Sequence, residues 1–154
     1  MQTTVKKNAA KSVLQLKSEA TLKDVPALAE IAIPQLYAEA EKSGLVVAGP
    51  IEFVYIGMDE FSDAPFQLSI QLPITKRKKL THPHGIQQDR TKAIRCVSAE
   101  HHGSMETIRI TYSALYHTVK ENKYKLIGEV REVYHKWESY YSPFNITEIQ
   151  IGIS

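Results

Sequence analysis

The segment 130–137, Val-Arg-Glu-Val-Tyr-His-Lys-Trp, contains the residues best suited to bind a small molecule. Side chains alternate between the two faces of a β-strand, so Glu132 and Tyr134 are expected on one face and Val133 and Trp137 on the other. A carboxylate beside aromatic rings attracts a cation or a planar aromatic amine, and a cation over a ring contributes ~0.5 to 2 kcal/mol. The segment therefore predicts a strand that contacts a ligand.

Two further rings are expected in the same ligand groove. Phe53 and Tyr55 alternate in an earlier strand in the way that Glu132 and Tyr134 do, which predicts that the four side chains converge. A competing interpretation makes Glu132 an ordinary surface residue paired with a Lys or Arg, because glutamate is rarely buried.

Tyr112 lies on the apolar stripe of a predicted helix, with Met105, Ile108, Leu115 and Val119. The stripe favours packing in the core, and a hydroxyl that lines the ligand site is the alternative. Trp137 shares its strand face with Val133, which predicts packing between sheet and helix unless a β-bulge redirects the side chain.

An internal repeat indicates the elements that must position these residues. Shifting the chain by 79 positions aligns Leu36-Tyr37 with Leu115-Tyr116, Val54-Tyr55 with Val133-Tyr134, and Ile70-Gln71 with Ile149-Gln150. The repeats span 12–75 and 91–154 within a single domain, 1–154, and each reads β-α-β-β. The predicted fold class is α+β, a mainly antiparallel sheet with helices on one side, pseudo-twofold symmetry and a ligand groove between the halves.

In the first repeat, a strand begins at Val13, a helix spans 26–43 and ends at Gly44, and further strands cover 45–58 and 66–74. Pro34 falls inside the helix, which predicts a kink or a later start. Gln67, Ser69 and Gln71 alternate with apolar residues, which predicts a solvated face for the last strand.

In the second repeat, strands are predicted over 93–100, 125–137 and 147–153, and Ser104 is the expected N-cap of the helix. The basic connector 76–90, which contains Lys76-Arg77-Lys78-Lys79, is interpreted as a mobile surface loop.

Composition narrows the possible functions. The 154 residues are 43% apolar and 23% charged with a formal charge of +2, which argues against disorder and against a dedicated nucleic-acid-binding protein. The chain has no long apolar run for a membrane helix and no apolar leader, and a cytoplasmic protein is expected. Cys96 is the single cysteine, the histidines lack metal-ligand spacing, and no cofactor or metal is predicted.

Three stretches resemble one family: 97–103 with the Tyr112 helix, 127–134, and 147–153. They are similar to the effector-binding domains of the gyrase-inhibitor-like superfamily, which occur in multidrug-responsive bacterial transcription regulators and as free-standing proteins. The resemblance implies that Glu132 lies in a ligand pocket and meets the cationic part of the ligand. Ser104, Met105 and Gly152 depart from the family pattern. About a dozen residues precede the first predicted strand, too few for a helix-turn-helix, so a stand-alone member without direct nucleic-acid contact is expected.

The sequence leaves three functions open. The first is a binding module for cationic or aromatic compounds, which senses or sequesters drugs or toxins. The second is a hydrolase that adds water to strained electrophiles, a role implied by some free-standing relatives, with Glu132 as general base and Tyr134 as a positioning or donor group. The third is a module that binds a protein partner such as gyrase or a separate regulator.

Overall fold

The computed structural model describes residues 1–58 and 62–154. The chain forms the following strands and helices: β1 (Thr4–Asn8), β2 (Ser12–Ala20), α1 (Val25–Lys42), β3 (Glu52–Ile56), β4 (Phe66–Pro73), β5 (Gln87–Arg90), β6 (Ile94–His102), α2 (Ile108–Glu121), β7 (Leu126–Lys136) and β8 (Ile146–Ile153). Short 3-10 helices at Leu22–Asp24 and Met105–Thr107 precede the two α-helices. The elements group into two compact units, one made of residues 10–92 and the other of residues 1–9 and 93–154.

In the unit 10–92, four antiparallel strands follow the order β3-β4-β2-β5, and α1 packs on β2 and β4. The helix face toward the sheet carries the fully buried Leu36. Burying such a side chain stabilises the fold by about 1.5–3 kcal/mol. The apolar side chains of β2 and β4 are buried with it, and they include Leu14 and Leu72.

Local sequence explains where α1 begins and ends. The Thr21 and Asp24 side chains form a capping box before the helix, and Pro26 occupies its first turn, where a missing N–H costs little. Gly44 adopts φ +66° directly after the helix and stops it. The helix runs through Pro34, so the predicted later start at this residue is wrong.

In the unit 1–9 and 93–154, the strand order is β1-β6-β8-β7, again antiparallel, and α2 packs on β6 and β8. Ser104 Oγ accepts a hydrogen bond from Glu106 N at 3.1 Å, so Ser104 caps the 3-10 helix that leads into α2, whereas the N-cap of α2 itself is Thr107. Leu115 is fully buried at the position on α2 that corresponds to Leu36 on α1.

Both units contain β-α-β-β in the same register. Phe53 lies opposite Ile70 in the first unit, and Glu132 lies opposite Ile149 in the second. Each of these pairs joins the last two strands of its motif. The α+β class with duplicated β-α-β-β motifs is confirmed. The single domain, the repeat boundaries, the pseudo-twofold symmetry and the groove between the halves stay predictions.

The sequence patterns miss several details of the sheets. Gln67 is exposed, but Ser69 and Gln71 are only 7% and 6% exposed, so the predicted solvated face of β4 holds at the start of the strand and is wrong beyond it. Ser69 Oγ and Gln71 Nε2 both donate to Gln15 Oε1, at 2.9 and 3.1 Å, and this polar network makes their burial possible. The residues 45–58 form a strand only at β3.

The connector 76–90 is not a loop along its whole length. Its last residues form β5, which pairs with β2. Lys78 Nζ donates to Gly44 O at 2.7 Å, and His82 Nδ1 lies 2.8 Å from Glu39 Oε2, with the His82 side chain 2% exposed. These contacts tie the connector to the end of α1, and its last part is a strand rather than a loop. Its mobility stays a prediction.

Candidate functional site

Glu132 is buried, with only 5% of its surface exposed. The hydroxyl of Tyr112 donates to its Oε2 atom and the hydroxyl of Tyr134 donates to its Oε1 atom, each at 2.5 Å. Hydrogen bonds to a carboxylate are among the stronger ones in proteins. Interpreting Glu132 as a surface residue is therefore wrong. We call these three residues the glutamate site.

The two tyrosines reach Glu132 from different elements. Tyr134 follows Glu132 by two residues on β7, so strand alternation places the two side chains on one face. Tyr112 projects from α2, is 2% exposed, and stacks on Tyr116 with a centroid distance of 6.4 Å. The ring of Tyr112 thus packs in the core, as its place on the apolar stripe favours, and its hydroxyl binds the glutamate. That the hydroxyl lines a ligand site stays a prediction.

A β-bulge lies directly beyond Tyr134. Tyr134 pairs with Thr147, but Lys136, two residues later, pairs with Ile146, only one residue earlier. The extra residue reverses the alternation after Tyr134. Trp137 is consequently directed to the ring of Tyr134, at a centroid distance of 5.6 Å and an interplanar angle of 81°. The side chain is 47% exposed, so its predicted packing between sheet and helix is wrong.

The segment that follows the bulge is held by internal hydrogen bonds. Asn145 is 1% exposed, its Oδ1 accepts from Glu138 N at 2.9 Å, and its Nδ2 donates to Ser139 O at 2.6 Å. Gly103 N donates to Asn145 O at 2.9 Å and ties the segment to the end of β6. Four aromatic side chains of this segment are nevertheless exposed: Trp137, Tyr140, Tyr141 and Phe144. Sequence reasoning did not identify this aromatic surface, although its composition was visible in the printed chain.

The opposite face of the same strands is also polar and buried, but its groups satisfy one another. Glu148 is ion-paired with Lys6 and accepts hydrogen bonds from Ser98 Oγ at 2.7 Å and Gln150 Nε2 at 2.8 Å, and its other oxygen lies 2.8 Å from His135 Nε2. Burial raises the pKa of Glu148, but the hydrogen bonds from Lys6, Gln150, His135 and Ser98 outweigh burial and hold it at about 2.

Arg131 belongs to this opposite face as well. It is 2% exposed, and its guanidinium binds Glu129 at 2.6 and 2.7 Å. The Arg-Glu pair of the sequence motif therefore splits between two faces, and only Glu132 joins the tyrosines.

Phe53 and Tyr55 lie in the other unit. Both are 4% exposed, their ring centroids are 6.5 Å apart, and Tyr55 also meets Phe66 edge to face at 5.3 Å. They form an aromatic cluster on β3 and β4, as alternation predicts. Their convergence with Glu132 stays a prediction.

Within residues 1–58 and 62–154, no three His, Cys, Asp or Glu side chains are placed to hold a metal ion. None of the helices in those ranges is long and apolar enough to cross a membrane.

Comparisons with known proteins agree on one fold. The C-terminal domain of EcmrR superposes with a TM-score of 0.82 at 22% identity, covering 99% of this chain and 97% of that domain. This chain spans only 57% of the EcmrR chain in its complex with DNA. The structure of SAV2435 bound to tetraphenylphosphonium superposes with a TM-score of 0.65 at 11% sequence identity. The match covers 100% of this chain and 94% of the SAV2435 chain.

A hydrolase encoded by lin2189 from Listeria innocua gives a TM-score of 0.69 at 14% identity, over 99% of this chain and 92% of that one. No curated protein is significantly similar to the chain. The model of the GyrI-like small molecule binding domain matches residues 1–153. The fold and this match together show that the chain belongs to the GyrI-like small-molecule-binding family.

Proposed function

We propose that this protein binds cationic aromatic small molecules at the glutamate site and thereby senses or sequesters them. The observation that carries the proposal is the buried Glu132 carboxylate, whose two oxygens are both held by tyrosine hydroxyls. A carboxylate in such surroundings favours a positive partner, because a charge-assisted contact away from bulk water contributes roughly 1.5–3 kcal/mol.

Aromatic rings around the carboxylate support the same class of ligand. Tyr134 and Tyr112 contact the carboxylate through their hydroxyls, so both rings lie close to it, and a cation near a ring face gains about 0.5–2 kcal/mol. The structural relative SAV2435 is bound to tetraphenylphosphonium, a permanent cation that carries phenyl groups. Charge attraction and ring contacts act together only on a ligand that has both features.

Calorimetric titration with tetraphenylphosphonium tests the proposal. Glu132→Gln keeps the size of the side chain and removes its charge, so we expect affinity to fall about tenfold or more. Glu100→Gln is the matched control, because Glu100 is exposed on β6 of the same unit, and we expect unchanged affinity. Neutral triphenylphosphine oxide should bind wild type and Glu132→Gln with equal affinity. Equal affinity of wild type and Glu132→Gln for the cation would exclude the glutamate from the binding site.

A second candidate function is hydrolysis of strained electrophiles, for which the same buried carboxylate and tyrosine hydroxyls supply the groups. Glu132 can take a proton from a water molecule whose oxygen bonds to the strained carbon, while the electron pair of the broken ring bond moves to a conjugated carbonyl as an enolate. Return of the proton from Glu132 to the enolate carbon gives the water adduct and restores the carboxylate. The Tyr134 hydroxyl donates its one proton to Glu132, and once Glu132 has taken the proton of the water this hydroxyl can turn to donate to the oxygen on which charge develops.

Turnover separates the two functions. Incubation with a cyclopropane-bearing electrophile should give a water adduct with wild type and none with Glu132→Gln if the protein is a hydrolase. Saturable binding without product by wild type supports the binding module.

A further inference from the structure

Trp137 is the only tryptophan of the chain, and its position is set by the bulge at the end of β7. Without the extra residue, alternation would direct the indole to the face of Val133, away from Glu132. The bulge instead brings it against Tyr134. Bulges that redirect a side chain are common beside functional sites.

Tyr134 contacts both Glu132 and Trp137 and so connects them. The Tyr134 hydroxyl is 2.5 Å from the Glu132 carboxylate. The ring of Tyr134 meets the indole of Trp137 edge to face, at a centroid distance of 5.6 Å. The contact covers only part of the indole, because 47% of Trp137 is exposed. A flat ring system that lies on the exposed part of the indole is next to Tyr134, whose hydroxyl binds the carboxylate.

The indole is presented by a rigid segment. Asn145 bonds to the backbone of Glu138 and Ser139, the two residues that follow Trp137, and is itself 1% exposed. A surface that is already ordered loses little conformational entropy when a ligand binds.

We propose that Trp137 is the stacking wall of the glutamate site and that it selects cations with an extended flat aromatic system over compact cations. This inference rests on the proposed binding function and adds to it a residue and a ligand class. Stacking on an aromatic ring raises the affinity for a ligand roughly three- to tenfold.

Two cations of different shape test the inference: ethidium, which is flat and aromatic, and tetraethylammonium, which is compact and aliphatic. By calorimetry, we expect Trp137→Ala to weaken ethidium about five- to tenfold and tetraethylammonium less than twofold. Trp137→Phe, which keeps a ring, should recover most of the ethidium affinity. Tyr141→Ala removes another exposed ring of the same segment, one that contacts Tyr140 rather than Tyr134, and should leave both affinities unchanged.

The single tryptophan also gives a direct signal. In wild type, saturation with tetraethylammonium should leave most of the indole fluorescence, whereas a flat ligand that stacks on Trp137 should quench it. An equal loss of affinity for both cations in Trp137→Ala, or no loss for either, would overturn the inference.

Different results would refute the proposed binding function and the stacking role of Trp137. If Glu132→Gln weakens both cations while Trp137→Ala weakens neither, the binding function stands and only the stacking wall is wrong. If wild type binds neither cation, the binding function fails, and the inference fails with it.

Discussion

Glu148 should make the stability of the protein depend on pH in the acidic range. Its pKa is about 2 in the folded protein, against 4.5 for an ordinary glutamate. Because the folded pKa is lower than the unfolded one, the ionised carboxylate stabilises the fold above about pH 4.5, and this contribution is lost as the pH falls toward 2. The difference of about 2.5 pH units corresponds to an upper limit of roughly 3 kcal/mol.

The perturbation is Glu148→Gln, which keeps the side-chain shape and removes the charge that Lys6 and His135 contact. At pH 7 we expect the free energy of unfolding in urea to fall by up to about 3 kcal/mol relative to wild type. The difference between the two proteins should shrink as the pH is lowered from 4.5 toward 2, because wild type then loses the same charge.

Glu100→Gln is the control for this experiment. Glu100 lies directly opposite Glu148 in the β6–β8 register, but its side chain is 56% exposed. Its removal should change the unfolding free energy by less than about 0.5 kcal/mol. A difference between Glu148→Gln and wild type that stays constant from pH 7 to pH 2.5 would refute the reasoning.

Two further substitutions probe packing within the unit 1–9 and 93–154, and both are measured by urea unfolding. Gly152→Ala should destabilise the protein by about 1–3 kcal/mol, because a Cβ there would lie 2.7 Å from Ile127 Cγ1 and 2.9 Å from the Glu129 carbonyl oxygen. Gly49→Ala is its control, with the nearest atom at an ordinary 3.5 Å, and equal effects of the two would contradict the clash. Tyr112→Phe should cost about 1–3 kcal/mol, since Glu132 then loses a buried hydrogen-bond donor, and an unchanged unfolding midpoint would show that this bond contributes nothing.

Much of the fold follows from local patterns that the printed sequence displays. Apolar periods of about 3.6 and 2 residues mark both α-helices and the long strands, since one face of each element must leave water. Ser104 and Gly44 mark where the second helix region starts and where α1 stops, because a hydroxyl can cap free N–H groups and glycine tolerates positive φ. Strand alternation alone is enough to place Glu132 and Tyr134 side by side.

Other features depend on elements that are far apart in sequence, and the tertiary structure alone determines them. Tyr112 reaches Glu132 only because α2 packs on the sheet that contains β7, a pairing that no local pattern contains. Ser69 and Glu148 have the polar character of surface residues, yet they are buried because distant partners satisfy their hydrogen bonds. The direction of Trp137 was decided by the pairing of β7 with β8, since one unpaired residue in a ladder reverses every side chain beyond it.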